Sequence, residues 1–208
     1  GQRAAIFTNN DDGLRTAIDL RAKGVDIAAV IDTRTGGAKL AGFDHLQGGE
    51  VVDTAGRLGL SAITVREASG RTRVIQCTAL GVSGGWNPNL GLTSHHRGRP
   101  VWDDAIATLV PGKGGPVGLT SVGAAAGLFS NHAALTSGAA QATAALADMG
   151  FATASVDLPP AEDAPTRIAP HWYVQSGKGR AWIDQQNDVT VKDVKLSHQE
   201  GFRSVDHL

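Results

Sequence analysis

Thiol is almost missing from this sequence. Its single cysteine, Cys77, can build no internal disulfide framework and cannot alone hold an iron–sulfur cluster. Excess charge is missing too: 19 basic residues stand against 20 acidic ones, a formal net charge of −1. Such a chain has no global field to draw it to a nucleic-acid backbone or an anionic lipid surface. No apolar run approaches the roughly 20 residues that a bilayer-spanning helix needs, and no secretory leader pattern opens the chain. Neither nucleic acid nor membrane is therefore an expected partner, and the expected location is cytoplasmic. The absence of any repeat excludes a fibrous protein. An initiator Met is also lacking, and the last residues, Val205-Asp206-His207-Leu208, read as a helical segment cut short. Both ends are expected to be cuts in a longer polypeptide.

What the sequence has in quantity is glycine, 27 residues of 208, against 5% aromatics, a balance that suits tight turns and close backbone contacts. Arg3 to Thr8 and Val25 to Asp32 are short apolar runs of buried-strand length. Between them Asn10, Asp11 and Asp12 offer helix caps, Leu14, Ala17, Ile18 and Ala22 form an apolar stripe, and Gly24 ends it. This spacing predicts a βαβ unit with two parallel strands. Gly36 to Gly42 is too short for a second helix. Gly48 to Arg66 and Arg71 to Val82 alternate apolar and polar positions around Gly56, Gly59 and Gly70, which predicts an antiparallel meander. Ser83 to Arg99 and Lys113 to Pro116 are expected loops.

Val117 to Val122 predicts a buried strand, and Leu128 to Met149 a long small-residue helix lying on a sheet. Thr153 to Pro170 carries Pro159, Pro160, Pro165 and Pro170 and has linker composition. Trp172 to Val174 and Ala181 to Ile183 are short strands or docking segments around the turn Ser176-Gly177-Lys178-Gly179. Thr190 is the expected N-cap of a helix through Glu200, stopped by Gly201. The fold class is thus α/β: a Rossmann-like βαβ unit with an antiparallel meander, followed by a small, incomplete C-terminal helical unit. The expected division is 1–150 for the α/β domain, 151–170 for a linker and 171–208 for the helical unit.

A dinucleotide site in a βαβ unit requires a glycine loop that lets a pyrophosphate approach the helix N-terminus. Here Thr8, Asn10 and Gly13 hold the three glycine positions, and Asp11 and Asp12 add negative charge. Asp32 stands where an acid can bind an adenosine ribose. An ordinary βαβ unit, with helix-capping acids and a strand-ending Asp32, is the alternative reading. His95, His96, Arg97 and Arg99 have no acidic or cysteine neighbour and read as a solvated loop. His132 reads as packed or ribose-facing. No nucleophile–base set is recognisable, and the only tyrosine, Tyr173, lacks the Tyr-x-x-x-Lys partner of a short dehydrogenase.

Val82-Ser83-Gly84-Gly85-Trp86-Asn87-Pro88-Asn89 resembles the segment that leads out of the inserted NAD domain in two-dinucleotide-domain (pyridine nucleotide-disulfide oxidoreductase-like) flavoproteins; a surface turn is the alternative. Val122-Gly123-Ala124-Ala125-Ala126-Gly127 is similar to their later Gly-Asp turn at the flavin, with Ala124 in place of the Asp. The opening A-A-I-F-T-N-N-D-D-G, the V-S-G-G-W-N-P segment and, most specifically, D-Q-Q-N-D-V-T-V-K-D-V with H-Q-E-G-F-R-S-V-D-H-L resemble the alpha subunit of heterotetrameric sarcosine oxidase over essentially the whole chain.

That resemblance implies an oxidoreductase acting on sarcosine, giving glycine and hydrogen peroxide and passing the one-carbon unit to tetrahydrofolate. It implies assembly with beta, gamma and delta subunits. It also implies NAD in the intact alpha subunit, FMN between alpha and beta, and FAD in beta. Gly84, Gly85, Trp86, Gly123, Ala124 and Gly127 are then the residues expected near NAD, and Asn187 and Thr190 those facing FMN. No residue is expected to be catalytic, and no metal is expected. The C-terminal unit resembles a ferredoxin-like iron–sulfur domain in which Asp184 and Gln186 replace the cysteines, so no cluster is expected. The alternatives are the alpha subunit of a related opine or proline dehydrogenase or hydrogen cyanide synthase, and a non-catalytic binding or assembly module.

Overall fold

The structure is a computed structural model that describes residues 2–37, 39–95, 98–113 and 115–204. His96, Arg97 and the expected helical segment at 205–208 lie outside the described residues. Two compact units divide the chain: Gly1–Thr8, Gly13–Ser83 and His171–Leu208 form one, and Asn9–Asp12 with Gly84–Pro170 form the other.

In the first unit, strands β1 (Arg3–Thr8) and β2 (Asp26–Asp32) are joined through helix α1 (Asp11–Ala22) and pair in parallel, as the βαβ spacing predicts. Strand β3 (His45–Gln47) extends the sheet beside β2, and β7 (Ala79–Ser83) pairs in parallel with β1 on the other side, giving the order β3-β2-β1-β7. The two middle strands are apolar on both faces because both faces are covered. On one, Ile6 and Val30 pack with Ala17, Leu14 and Leu20 of α1. On the other, Ala5, Ala29 and Ile31 meet Ile63, Val65, Ile75 and Cys77. Ile63, Val65 and Ile75 come from a three-stranded antiparallel sheet, β4 (Glu50–Ala55), β5 (Ala62–Arg66) and β6 (Thr72–Gln76).

Small side chains on β1 and β2 let these layers close. Gly13 does the same for α1: a Cβ there would lie 2.3 Å from Thr8 Oγ1, so this position keeps the helix-to-strand role of the third motif glycine. Residues 171–204 add a short hairpin, β10 (Trp182–Asp184) with β11 (Val189–Thr190), and helix α3 (Val191–Gln199).

The second unit contains a hairpin, β8 (Val101–Asp103) with β9 (Thr108–Val110), a 3-10 turn at Gly123–Ala126, and helix α2 (Asn131–Asp148). Several expectations are corrected. The meander ends at β6, and residues 79–83 join the parallel sheet instead, because alternation alone cannot name a strand's partner. Val117 to Val122 forms no strand: no ladder partner reaches it among the described residues, and Val117 is fully exposed. Trp172 to Val174 is likewise not a strand. Among the described residues helix α2 lies on no sheet, and it buries none of its own; its eight alanines favour helix intrinsically, without burial. It touches the 3-10 turn, where Ser137 Oγ accepts the Gly123 N–H at 3.0 Å.

The core assignment gives a direct expectation. Ile63 is fully buried between the two sheets, so Ile63→Ala should lower stability by about 2–5 kcal/mol in urea denaturation. The exposed Leu58→Ala should change it by no more than about 0.5 kcal/mol.

Candidate functional site

The dinucleotide position at the start of α1 is filled by the chain itself. Segment 166–169 runs antiparallel to Asn9–Asp11, with Asn10 bridging Ile168. The Asp11 N–H donates to the Arg167 carbonyl at 3.0 Å, the Ala169 N–H to the Asn9 carbonyl at 3.0 Å, and Asn9 Nδ2 to the Ala169 carbonyl at 2.8 Å. Both first-turn acids are engaged as well. Asp11 Oδ2 accepts from the Arg167 backbone N–H at 3.0 Å and Nε at 3.2 Å, while Asp12 accepts from Thr166 Oγ1 at 2.8 Å and Trp86 Nε1 at 3.1 Å. Carboxylates at a helix N-terminus satisfy the dipole that would otherwise favour a phosphate. Residues 166–169, at the end of the stretch of linker composition, are thus tied by hydrogen bonds to residues 9–12.

Helix α2 begins in the same way. Ser130 caps it by accepting the Ala133 N–H at 3.1 Å, and its hydroxyl donates to Asp163 Oδ1 at 2.7 Å. The His132 N–H donates to the Glu162 carbonyl at 3.3 Å. In the preceding turn, the Gly127 N–H goes to the Ala124 carbonyl and the Leu128 N–H to the Gly123 carbonyl. Gly123 and Gly127 have φ of 56° and 83°, which Ala124 between them does not share.

Of the remaining expected residues in this unit, Gly85 has φ 102°, and a Cβ there would lie 2.3 Å from Ile168 Cδ1. Gly85 and Trp86 line a small apolar pocket with Ile106, Phe129, Thr166 and Ile168. Nothing lies within 4 Å of a Cβ built on Gly84.

Asp32 is buried at the end of β2, and its carboxylate is held bidentately by Arg34, Nε to Oδ1 at 2.9 Å and Nη2 to Oδ2 at 2.8 Å, with the Arg34 N–H adding a bond at 3.0 Å. The ordinary strand-ending reading therefore accounts for Asp32 better than a ribose contact does. His45 lies beside it, Nε2 3.8 Å from Asp32 Oδ2, while Nδ1 accepts the Leu40 N–H at 2.9 Å. Burial holds the His45 pKa below the usual histidine value, and the Asp32 charge opposes that shift only in part.

Asn187 and Thr190 lie in the first unit. Asp184 accepts the Gln186 N–H at 2.8 Å, the Asn187 N–H at 3.3 Å and Asn187 Nδ2 at 2.8 Å, and these bonds lower its pKa, the Asn187 side chain most. Thr190 donates its N–H and hydroxyl to Asp193 Oδ2 at 2.7 and 2.6 Å, in the manner of a capping box on α3. Asp184 and Gln186 thus belong to one hydrogen-bonded turn. No grouping of metal ligands occurs among the described residues, and no described helix is long and apolar enough to cross a membrane.

Sequence reasoning missed Glu162, Asp163, Thr166 and Arg167, whose partners lie more than 25 residues away, and the Arg34–Asp32–His45 cluster. The Asp-x-Arg spacing at the end of a strand was the one local signal available.

Two measurements check this geometry. Asp11→Ala removes the acceptor of the Arg167 N–H, and hydrogen exchange at that amide should accelerate on the order of tenfold. In the unfolded chain His45 titrates near 6.5 and in the folded chain lower. Below 6.5 the unfolded state therefore binds more protons, and stability falls as pH drops toward the folded value. Urea midpoints from about pH 8 to about pH 5 should show this slope, and His45→Gln should flatten it.

Comparison with known proteins adds lineage. A family model for the sarcosine oxidase A3 domain matches residues 178–208. The chain is 37% identical over 215 residues to the sarcosine oxidase alpha subunit of Rhizobium meliloti, covering 99% of this chain and 21% of that protein. It is 34% identical over 229 residues to the same subunit of a Corynebacterium species, covering 100% of this chain and 23% of that one. Among solved structures, L-proline dehydrogenase from P. horikoshii matches at a TM-score of 0.56 with 13% identity, over 97% of this chain and 38% of that one, a likeness of fold. Along its whole length this chain is homologous to a segment of sarcosine oxidase alpha subunits, and it spans about a fifth of the length of those relatives.

Proposed function

We propose that this chain is the part of a sarcosine oxidase alpha subunit that frames cofactor sites without holding a catalytic residue. The intact enzyme would oxidise the N-methyl group of sarcosine, releasing glycine and hydrogen peroxide, and would pass the one-carbon unit to tetrahydrofolate. Its partners would be beta, gamma and delta subunits. The observation that carries this reading is the 37% identity over 99% of the chain to a sarcosine oxidase alpha subunit. The fold likeness to a proline dehydrogenase, at 13% identity, speaks for architecture and leaves the substrate open.

The cofactors proposed for the intact enzyme are NAD in the alpha subunit, FMN between alpha and beta, and FAD in beta. The start of α1 does not fit a pyrophosphate, since its acids and the Asp11 N–H are bonded to residues 166 and 167 and to Trp86. A nucleotide against this chain would instead meet the glycine-thinned backbone at Gly84, Gly85, Gly123 and Gly127, with Trp86 and Ala124, and Asn187 and Thr190 would face the flavin. The division at about 150 and 170 belongs to the same proposal: 1–112 as an inserted NAD-type domain, 113–150 as part of a first dinucleotide fold completed by polypeptide outside this chain, and 171–208 as the beginning of a small helical domain.

The test is activity of the intact protein expressed with its partner subunits. Sarcosine should drive oxygen uptake with one hydrogen peroxide formed per sarcosine consumed, and the 208-residue chain alone should be inactive. Oxidation of L-proline with sarcosine inert would contradict the assignment.

A further inference from the structure

His45 stands on β3 with its side chain 1% exposed, and its two ring nitrogens meet different surroundings. Nδ1 accepts the Leu40 N–H at 2.9 Å, so it carries no proton, and the proton of the neutral ring lies on Nε2. Nε2 is buried without a hydrogen-bond partner among the described residues, 3.8 Å from Asp32 Oδ2. A second proton can enter only at Nδ1, where it would meet the Leu40 N–H donor against donor.

Asp32 offers little compensation. Arg34 already holds that carboxylate through both oxygens, and Nε2 carries its proton in either form, so the cationic ring gains no new hydrogen bond there. The other charges acting on the ring are Arg34, just beyond β2, and Lys39, in the following loop, and both repel a cation.

Leu40 belongs to the loop of residues 39–44, where Leu40 and Phe43 pack against Ile6, Ala17 and Val30. The far end of this loop is fastened without His45. Arg21 of α1 donates to the Gly42 carbonyl at 2.6 Å and lies 3.5 Å from the centre of the Phe43 ring, and the Val30 N–H donates to the Asp44 carbonyl at 2.9 Å. At the near end, exposed Gln47 Nε2 donates to the Gly37 carbonyl at 3.1 Å. Gly42, at φ 77°, stands where the loop can bend between its ends.

We infer that His45 is the latch of a pH-operated loop: a proton at Nδ1 breaks the Leu40 bond and lifts residues 39–41 from the Ile6, Ala17 and Val30 cluster, bending at Gly42, while Arg21 keeps Phe43 in place. The device rests on the geometry of β2, β3 and their connection and is independent of the substrate and cofactors proposed above.

Amide exchange in the isotope-labelled 208-residue chain, corrected for its intrinsic pH dependence and followed from about pH 7.5 to about pH 5.5, tests it. Burial holds the closed ring below the usual histidine value, whereas the ring of the open loop titrates near 6.5. Below 6.5 the open form therefore binds more protons, and Leu40 protection should fall by up to about tenfold per pH unit until the closed-loop value is reached. Leu40 should be less protected than Val30 throughout, and low, sub-denaturing urea should accelerate exchange at Val30 but not at Leu40. The ring nitrogen shifts of His45 should show a bare Nδ1 at neutral pH. His45→Asn, which sets a non-titrating acceptor near the place of Nδ1, should leave Leu40 protection independent of pH; the parent chain decides the matter if this variant does not fold. A neutral ring protonated on Nδ1, Leu40 protection that ignores pH in the parent chain, Leu40 and Val30 exchanging together with one urea dependence, or a folded His45→Asn chain that keeps the parent's pH dependence would overturn the inference.

Discussion

One proline-bearing segment closes the starts of two helices, and the chemistry open to this region follows from that closure. Glu162 and Asp163 meet the first turn of α2, and Thr166 to Ala169 meet the first residues of α1. Helix N-termini carry unsatisfied N–H groups and a partial positive charge, which makes them the usual seats of nucleotide phosphates. Here carbonyls and carboxylates of the same polypeptide take up that capacity. At the positions of a dinucleotide glycine loop, Thr8 and Asn10 are buried and polar, and only Gly13, which serves helix-to-strand packing, is a glycine. A backbone of the dinucleotide-binding kind thus stands here as framework, in keeping with its homology to an alpha subunit.

Much of this fold was legible where a local period and a local stop signal coincided. The βαβ unit, the β4-β5-β6 meander and α3 with its Thr190 start follow from apolar runs, alternation and a capping pattern that each act within a few residues. Three-residue strands such as β3, β8 and β9 are too short to carry a period. Strand β7 has the composition of a meander strand, and only the tertiary pairing with β1 distinguishes it. Residues 117–122 show the reverse case, an apolar run that finds no partner strand.

The candidate site was less legible, because its partners are distant in sequence. Proline and small acidic residues give 153–170 a linker composition, yet Thr166 and Arg167 bond to residues more than 150 positions earlier. Asp32 was correctly located at a strand end, but the side chain that decides its availability, Arg34, counted in the sequence only as a neighbouring charge. His45 is buried without any local hint, since its burial comes from the β3 pairing with β2.

The most direct test is the response of backbone amides to NAD in the isotope-labelled 208-residue chain. Closed helix starts predict that the resonances of residues 9–13 and 131–134 stay in place up to millimolar NAD, about the range of weak mononucleotide-like contacts. Saturable shifts centred on Asn9 to Gly13 would show a pyrophosphate seated at the start of α1 and would contradict the account.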